Sequence, residues 1–186
     1  RALHKLIGGD REAAAHLLRQ TVTADSDNIE AYIKLGELYR EMQAPGKAAK
    51  IHKQLLVRDT LDKDEVSSVL VQLFKDYKAA EAYDRAAAMA ERLVERDKKN
   101  TEYKRLLLSV YEEKQDWEKA FAFEKKMKSK TPKKVRNRTL AMYKVKAGEV
   151  LAVKDAKRES RRRSREARHI DKQCIPAYLL WGDSYV

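Results

Sequence analysis

Apolar residues recur along this chain three and four positions apart, and short polar breaks interrupt them every dozen or so residues. That pattern predicts a succession of paired amphipathic helices. Tyr32, Leu35, Gly36 and Tyr39 fall on one helical face as large, large, small, large. A tight turn containing Pro45 and Gly46 is expected next, then a second helix carrying a small residue, Ala48, toward the first. The same stripe returns as Leu70/Leu73/Phe74/Tyr77 and as Lys104/Leu107/Leu108/Tyr111. It is looser at Ala147/Gly148/Leu151 and returns as Tyr178/Trp181/Gly182/Tyr185. The small residues that open the second helices, Ala14, Ala48, Ala86, Ala120 and Ser160, lie 34, 38, 34 and 40 residues apart. Both long steps coincide with polar or Pro-marked stretches, TLDKD at 60–64 and PKKVR at 132–136, read as lengthened linkers.

In chain order, residues 1–7 read as the tail of a helix closed by Gly8, Gly9 and Asp10, and 11–24 as its partner. A turn at 25–28 leads into the pair ending near Arg58. Helices follow at 66–77 and 84–96, at 100–113 (opened by Asn100) and 116–129, and at 135–153 and 155–170. One more begins at Ile175, with Pro176 in its first turn. An aromatic, then Leu-Gly, then Tyr, then Ala sixteen residues after the first aromatic, on a period near 34, resembles the tetratricopeptide repeat (TPR). The resemblance implies an all-α, right-handed superhelical solenoid of helix–turn–helix repeats. Its units would be a partial repeat at 1–27, repeats at 28–64, 65–99 and 100–133, a divergent Arg-rich repeat at 134–173, and the first helix of another at 174–186.

Composition narrows the chemistry. With 6 Gly and 3 Pro in 186 residues, helix interiors are rarely broken. Charged residues make up 38% and mean hydropathy is −0.73, as expected of a water-exposed chain. No apolar run approaches the roughly 20 residues of a membrane span, and no signal-peptide pattern is present. A start at Arg1, inside an apparent helix, is read as a piece of a longer protein. The single Cys174 excludes an internal disulfide and a cysteine-built metal cage, and is expected to be a buried thiol. His4, His16, His52 and His169 show no ligand spacing, and His52 is read as a packed core residue. No Gly-rich phosphate loop or nucleophile elbow is present, and acidic residues alternate with basic ones, as at Glu91, Arg92, Glu95 and Arg96. The reading is therefore non-catalytic, with no cofactor and no metal.

In a TPR array the first helix of each pair lines a concave groove that takes peptides or protein partners. Residues off the packing stripe are the candidate groove set: Ile33, Glu37, Arg40, Val71, Lys75, Lys78, Arg105, Ser109, Glu112, Val145 and Glu149. Their mixed charge predicts a partner of mixed charge. Ile33 and Glu37 stand where TPRs that clamp a chaperone's terminal carboxylate carry Lys and Asn, which argues against that clamp.

The formal net charge of +12 and pI near 9.6 raise a second kind of partner. Nine Lys or Arg against four Asp or Glu are concentrated at 154–172, where Arg158, Arg161, Arg162, Arg163, Arg165 and Arg168 form a basic surface. Such a helix could follow nucleic-acid phosphates, an acidic protein or an anionic lipid surface. No aromatic is interleaved with the arginines to stack on bases, and a plain solvated face is the simplest reading.

KAAKIHKQL at 47–55, Lys75-Asp76-Tyr77 and AYDRA at 82–86 resemble the N-terminal repeats of the lipopolysaccharide assembly protein B family. That resemblance implies a cytoplasm-facing adaptor, tethered to the inner membrane by a helix preceding the repeats. Its role there is in proteolytic control of the first committed enzyme of lipid A synthesis. A TPR scaffold for secretion or pilus assembly is the alternative. The family's membrane helix and its two CxxC zinc pairs have no counterpart in this sequence. Finally, Tyr178, Leu179, Trp181 and Tyr185 at one end and Ala2, Leu3, Leu6 and Ile7 at the other are read as losing part of their cover where the sequence is cut, which predicts that the terminal helix either frays or packs against a second copy as an effect of truncation.

Overall fold

A computed structural model describes residues 10–127 and 131–183. Expectations for residues 1–9, including the helix tail and its apolar side chains, and for Ser129 and Tyr185, fall outside the described residues. Ten helices are present among the described residues, and no strand. They are α1 (Arg11–Ala24), α2 (Ile29–Glu41), α3 (Pro45–Leu56), α4 (Lys63–Ala79) and α5 (Tyr83–Arg96). After these come α6 (Thr101–Glu113), α7 (Trp117–Lys126), α8 (Lys133–Val153), α9 (Lys157–Ile170) and α10 (Ile175–Asp183).

Local chemistry sets most of the boundaries. Asp10, Asn28 and Asp116 each accept a hydrogen bond from the backbone N–H three residues on, which satisfies a donor that the helix start leaves open. Asn100 does the same for Glu102 and Tyr103, as its sequence position suggests. Part of the expected linker at 60–64 is helix instead. Asp62 accepts from the N–H groups of Asp64 and Glu65, while the Glu65 carboxylate accepts the Asp62 N–H, a capping box that starts α4 at Lys63.

The turns inside the pairs share one geometry that composition hides. Gln43, Glu81, Gln115 and Asp155 all adopt left-handed backbone, with φ between 54° and 57°. Each stands five residues before the small residue of its second helix. In the first of these turns the Ala44 N–H reaches the Tyr39 carbonyl and the Gln43 N–H the Arg40 carbonyl; the other three repeat both bonds. This is the Schellman closure, made here without glycine. The Pro45-Gly46 pair does not form the turn: both residues are already helical, Pro45 taking the first position of α3, where a missing N–H costs nothing.

The chain divides into two compact units, meeting within α6 between Val110 and Tyr111. In the first, α1 to α5 pack sequentially, and the first helices α2 and α4 also touch directly. Its core includes Ala14, Leu18, Leu35, Leu38 and Ala48; Ala14, Leu35 and Ala48 are among the positions expected from the sequence, and Leu38 adds to them from outside the stripe. In the second unit α7 to α10 pack in order and α8 also touches α10. Ala141, Val145, Ala167, Cys174, Ala177 and Leu180 form its core, with Cys174 buried as expected. The guanidinium of Arg136 closes the end of α7 by donating to the carbonyls of Glu124, Lys125 and Met127.

Candidate functional site

Between α2, α3 and α4 lies a buried polar chain. The carboxylate of Asp76, fully buried in α4, takes Nδ1 of His52 on one oxygen and the Arg40 guanidinium on the other. His52 Nε2 faces the Ile33 carbonyl at 3.2 Å, so the ring has a polar partner at each nitrogen. Arg40 also donates to Gln72 Oε1 (3.0 Å), and Gln72 Nε2 donates to Glu37 (2.9 Å), which Lys34 holds from its other side. A buried ion pair gains little net stability against its desolvation, but each member lost leaves another unpaired. The chain therefore fixes which residues of α2 stand opposite which residues of α4. His52 is the packed core residue read from the sequence, and it does this positioning.

The groove candidates divide accordingly. In the first unit Glu37 and Arg40 are committed to the bridge between the first helices, and Ile33 and Val71 flank it half-buried. Lys75 is exposed and Lys78 half-buried. Arg105 pairs with Glu102 on its own helix, and the Ser109 hydroxyl donates to the Leu106 carbonyl. In the second unit Glu112 accepts the Tyr143 hydroxyl and Glu149 pairs with Lys146. Burial first, then the bond to Glu112, pushes the Tyr143 phenol well above its ordinary range. Val145 is not a groove residue: it is fully buried in the core of the second unit, against Ala167 and Cys174. The degenerate sequence of α8 hides that register, because Leu140, Ala141 and Tyr143 rather than an aromatic-Leu-Gly signature carry its buried face.

The Arg-rich helix α9 differs more from expectation. It buries Ser160, Ser164 and Ala167, as its small residues suggested, but its arginines do not form a plain solvated face. On one side Arg163 pairs with Glu118 (2.8 Å) and Glu166 (2.9 Å), and the nearly buried Lys144 joins the same two carboxylates at 2.9 and 3.2 Å. Burial pulls the Glu166 carboxyl upward, yet hydrogen bonds from Arg163 and Lys144 prevail and hold it below the ordinary carboxylate range. Arg162 also reaches Glu166, Arg158 is exposed and Arg161 half-buried.

On the other side aromatics do meet the arginines. Arg165 lies over Trp181 at 5.2 Å, and Arg168 over Tyr178 at 4.5 Å and Trp181 at 5.4 Å. These rings come from α10, not from α9, so reading the arginine stretch by itself could not find them. The signal available was the helical spacing of Tyr178 and Trp181 in the following helix. Together with Phe121 of α7 and Lys144, over its ring at 4.2 Å, they line an open cavity of about 1050 Å³. Lys125, Arg162, His169 and Lys172 complete a strongly basic rim around one acid, Glu166. Among the described residues no group of three His, Cys, Asp or Glu side chains converges as metal ligands would. No helix among them is long and apolar enough to cross a membrane.

Comparison with known proteins agrees with this architecture. Residues 71–134 match the tetratricopeptide repeat family. Lipopolysaccharide assembly protein B of Escherichia coli K12 is 29% identical over 115 residues, which cover 62% of this chain and 30% of that protein. The matched region thus spans about a third of the curated relative. Among solved structures, MamA superposes with a TM-score of 0.58 at 19% identity, covering 92% of this chain and 95% of MamA. YrrB, described as a TPR protein with an unusual peptide-binding site, gives 0.57 at 16% identity, covering 96% and 87%. The 34-residue grid, the helix pairs with small residues at their contacts and these likenesses have one explanation: residues 71–134 carry the tetratricopeptide repeat, the fold is that of an all-α helical solenoid, and the chain resembles lipopolysaccharide assembly protein B.

Proposed function

We propose that the chain is a non-catalytic adaptor that holds a protein or peptide partner on the faces of its first helices. The observation that carries this reading is the polar bridge Glu37–Gln72–Arg40–Asp76. By locking α2 against α4 it presents Ile33, Val71 and Lys75 on a rigid, pre-set surface, which lowers the entropy lost on binding. The likeness to lipopolysaccharide assembly protein B supports a finer reading. The adaptor would act in control of lipopolysaccharide assembly at the cytoplasmic side of the inner membrane, its partners being proteins of that process. Lys75→Glu with Arg105→Glu reverses charge at two exposed first-helix positions without touching the bridge. In cells that depend on this protein, the double variant is expected to disturb lipopolysaccharide content as deletion does, while protein level and helicity stay normal. Unchanged lipopolysaccharide in both the deletion and the double variant would refute the finer reading. Full function of the double variant, with deletion still harmful, would move the partner surface elsewhere.

A further inference from the structure

A separate site lies inside the first unit, where α3, α4 and α5 meet. Tyr77 of α4 is only 6% exposed, and it lines a cavity of about 250 Å³ between these helices. Lys53 Nζ, from α3, and the Arg85 guanidinium, from α5, each lie 5.9 Å from the centre of its ring. Lys50, one turn before Lys53, also lines the cavity. None of the three cations has an ion pair among the described residues, and no acidic residue among them lines the cavity. The Tyr77 hydroxyl makes no hydrogen bond among the described residues either, although the side chain is packed. The starts of α3 and α5, at Gly46 and Ala82, border the same space, and no side chain caps either helix.

The equivalent place one repeat earlier supplies its own acid. There Arg19 and Lys47 lie 5.7 and 5.9 Å from the Tyr39 ring, and Glu12 lines the cavity beside them. One repeat later, Glu91 takes the sequence position of Lys53, five residues after the small residue of its helix. Around Tyr77 the chain provides donors and positive charge, and no acid. The three stretches on which the narrower sequence resemblance rests, 47–55, 75–77 and 82–86, all contribute to this cavity.

We propose that this cavity holds the phosphoryl group of a phosphomonoester. Lysine and arginine only donate hydrogen bonds, and the Tyr77 hydroxyl is free to donate, so the site fits a group that only accepts. A phosphomonoester brings close to two negative charges and three acceptor oxygens, which balances three unpaired cations better than a single carboxylate does. The open ends of α3 and α5 add the positive poles of two helices. The donors ring one cavity and do not form a strip, which suits one group on a soluble molecule or on a lipid headgroup.

The test is an amide NMR titration of the 186-residue chain with glycerol 3-phosphate in phosphate-free buffer. Saturable shifts centred on Gly46, Tyr77 and Ala82 are expected, with binding at least about tenfold tighter than that of acetate. Lys53→Gln with Arg85→Gln should weaken binding by about tenfold or more. Tyr77→Phe should weaken it by several-fold with no change of charge. Lys53 and Arg85 are exposed and Tyr77→Phe keeps the packed ring, so melting temperatures should stay near wild type. Lys98→Gln with Lys99→Gln removes the same charge from an exposed turn and should leave binding as it is. Flotation with phosphatidic acid vesicles separates the two sources of the group. Retention that glycerol 3-phosphate displaces assigns a lipid headgroup. Glycerol 3-phosphate binding without retention assigns a soluble phosphomonoester, and either result upholds the site. An equal loss in the Lys98 and Lys99 variant, or indifference to Tyr77→Phe, would overturn it. So would acetate or a hexaglutamate peptide bound as tightly as the phosphoester. None of these variants touches Lys75 or Arg105, so this proposal and the first-helix reading fail separately.

Discussion

The imidazole of His52 occupies the volume that a side chain on Gly36 would need: a Cβ added at 36 would lie 2.3 Å from both Cε1 and Nε2 of the ring. One residue is small so that the other can reach Asp76 at the far side of the same helix contact. Gly36→Ala is therefore expected to destabilise the chain by about 1–3 kcal/mol, because the ring cannot yield without giving up its carboxylate. His52→Ala alone should also destabilise it, by leaving the buried Asp76 with one partner fewer. The pair should not be additive. Once the ring is gone the methyl at 36 has room, so the double variant should lose clearly less than the sum. Urea unfolding of the four proteins checks this, and strict additivity would disprove the contact.

This pair also shows how far the sequence could be read. The Tyr32/Leu35/Gly36/Tyr39 stripe and the spacing of Ala14, Ala48, Ala86 and Ala120 disclose the fold, because helix packing demands small residues at fixed intervals. His52 was recognisable as buried from its place on the inner face. Its partner was not, since Asp76 lies 24 residues on and one position off the Phe74/Tyr77 stripe. Where the signature degenerates, as in α8, packing alone sets the register, and it places Val145 in the core instead of on the groove face.

Four left-handed residues without glycine are a built-in cost. A side chain at φ near +57° meets the following carbonyl, which costs roughly 1–2 kcal/mol against right-handed backbone, and glycine escapes it. Gln43 and Gln115 are both exposed, so replacing them removes no packing. Gln43→Gly and Gln115→Gly are each expected to raise stability by about 0.5–1 kcal/mol, the gain being trimmed by the extra freedom of glycine when unfolded. Lys50→Gly, at an exposed position inside α3, is the control and should lower stability by about 1 kcal/mol. Thermal melts decide the matter. A loss at position 43 or 115 as large as at 50 would show that the turn geometry is not what limits those sites.

Two carboxylates of the second unit titrate in opposite senses, and the contrast yields a pH prediction. Glu124 is buried in α7; burial raises its carboxyl above the ordinary range, Arg136 opposes that, and Glu112 adds to it. A group whose folded pKa is raised contributes stability that is fully present below its unfolded pKa and is lost as pH rises through the folded value. At neutral pH Glu124 therefore works against folding, and Glu124→Gln should melt higher than wild type, the gap closing as pH falls through the carboxylate range. Glu166 is held below the ordinary range by Arg163 and Lys144 despite burial. Its contribution is present above the unfolded pKa and lost as pH falls through the folded one. Glu166→Gln should accordingly melt lower than wild type at neutral pH and converge with it in acid. Melting curves of the three proteins from about pH 3 to pH 7.5 test both signs at once. A Glu124→Gln protein that is less stable than wild type at pH 7, or a Glu166→Gln deficit that persists in acid, would mean that these carboxylates act through packing rather than through charge.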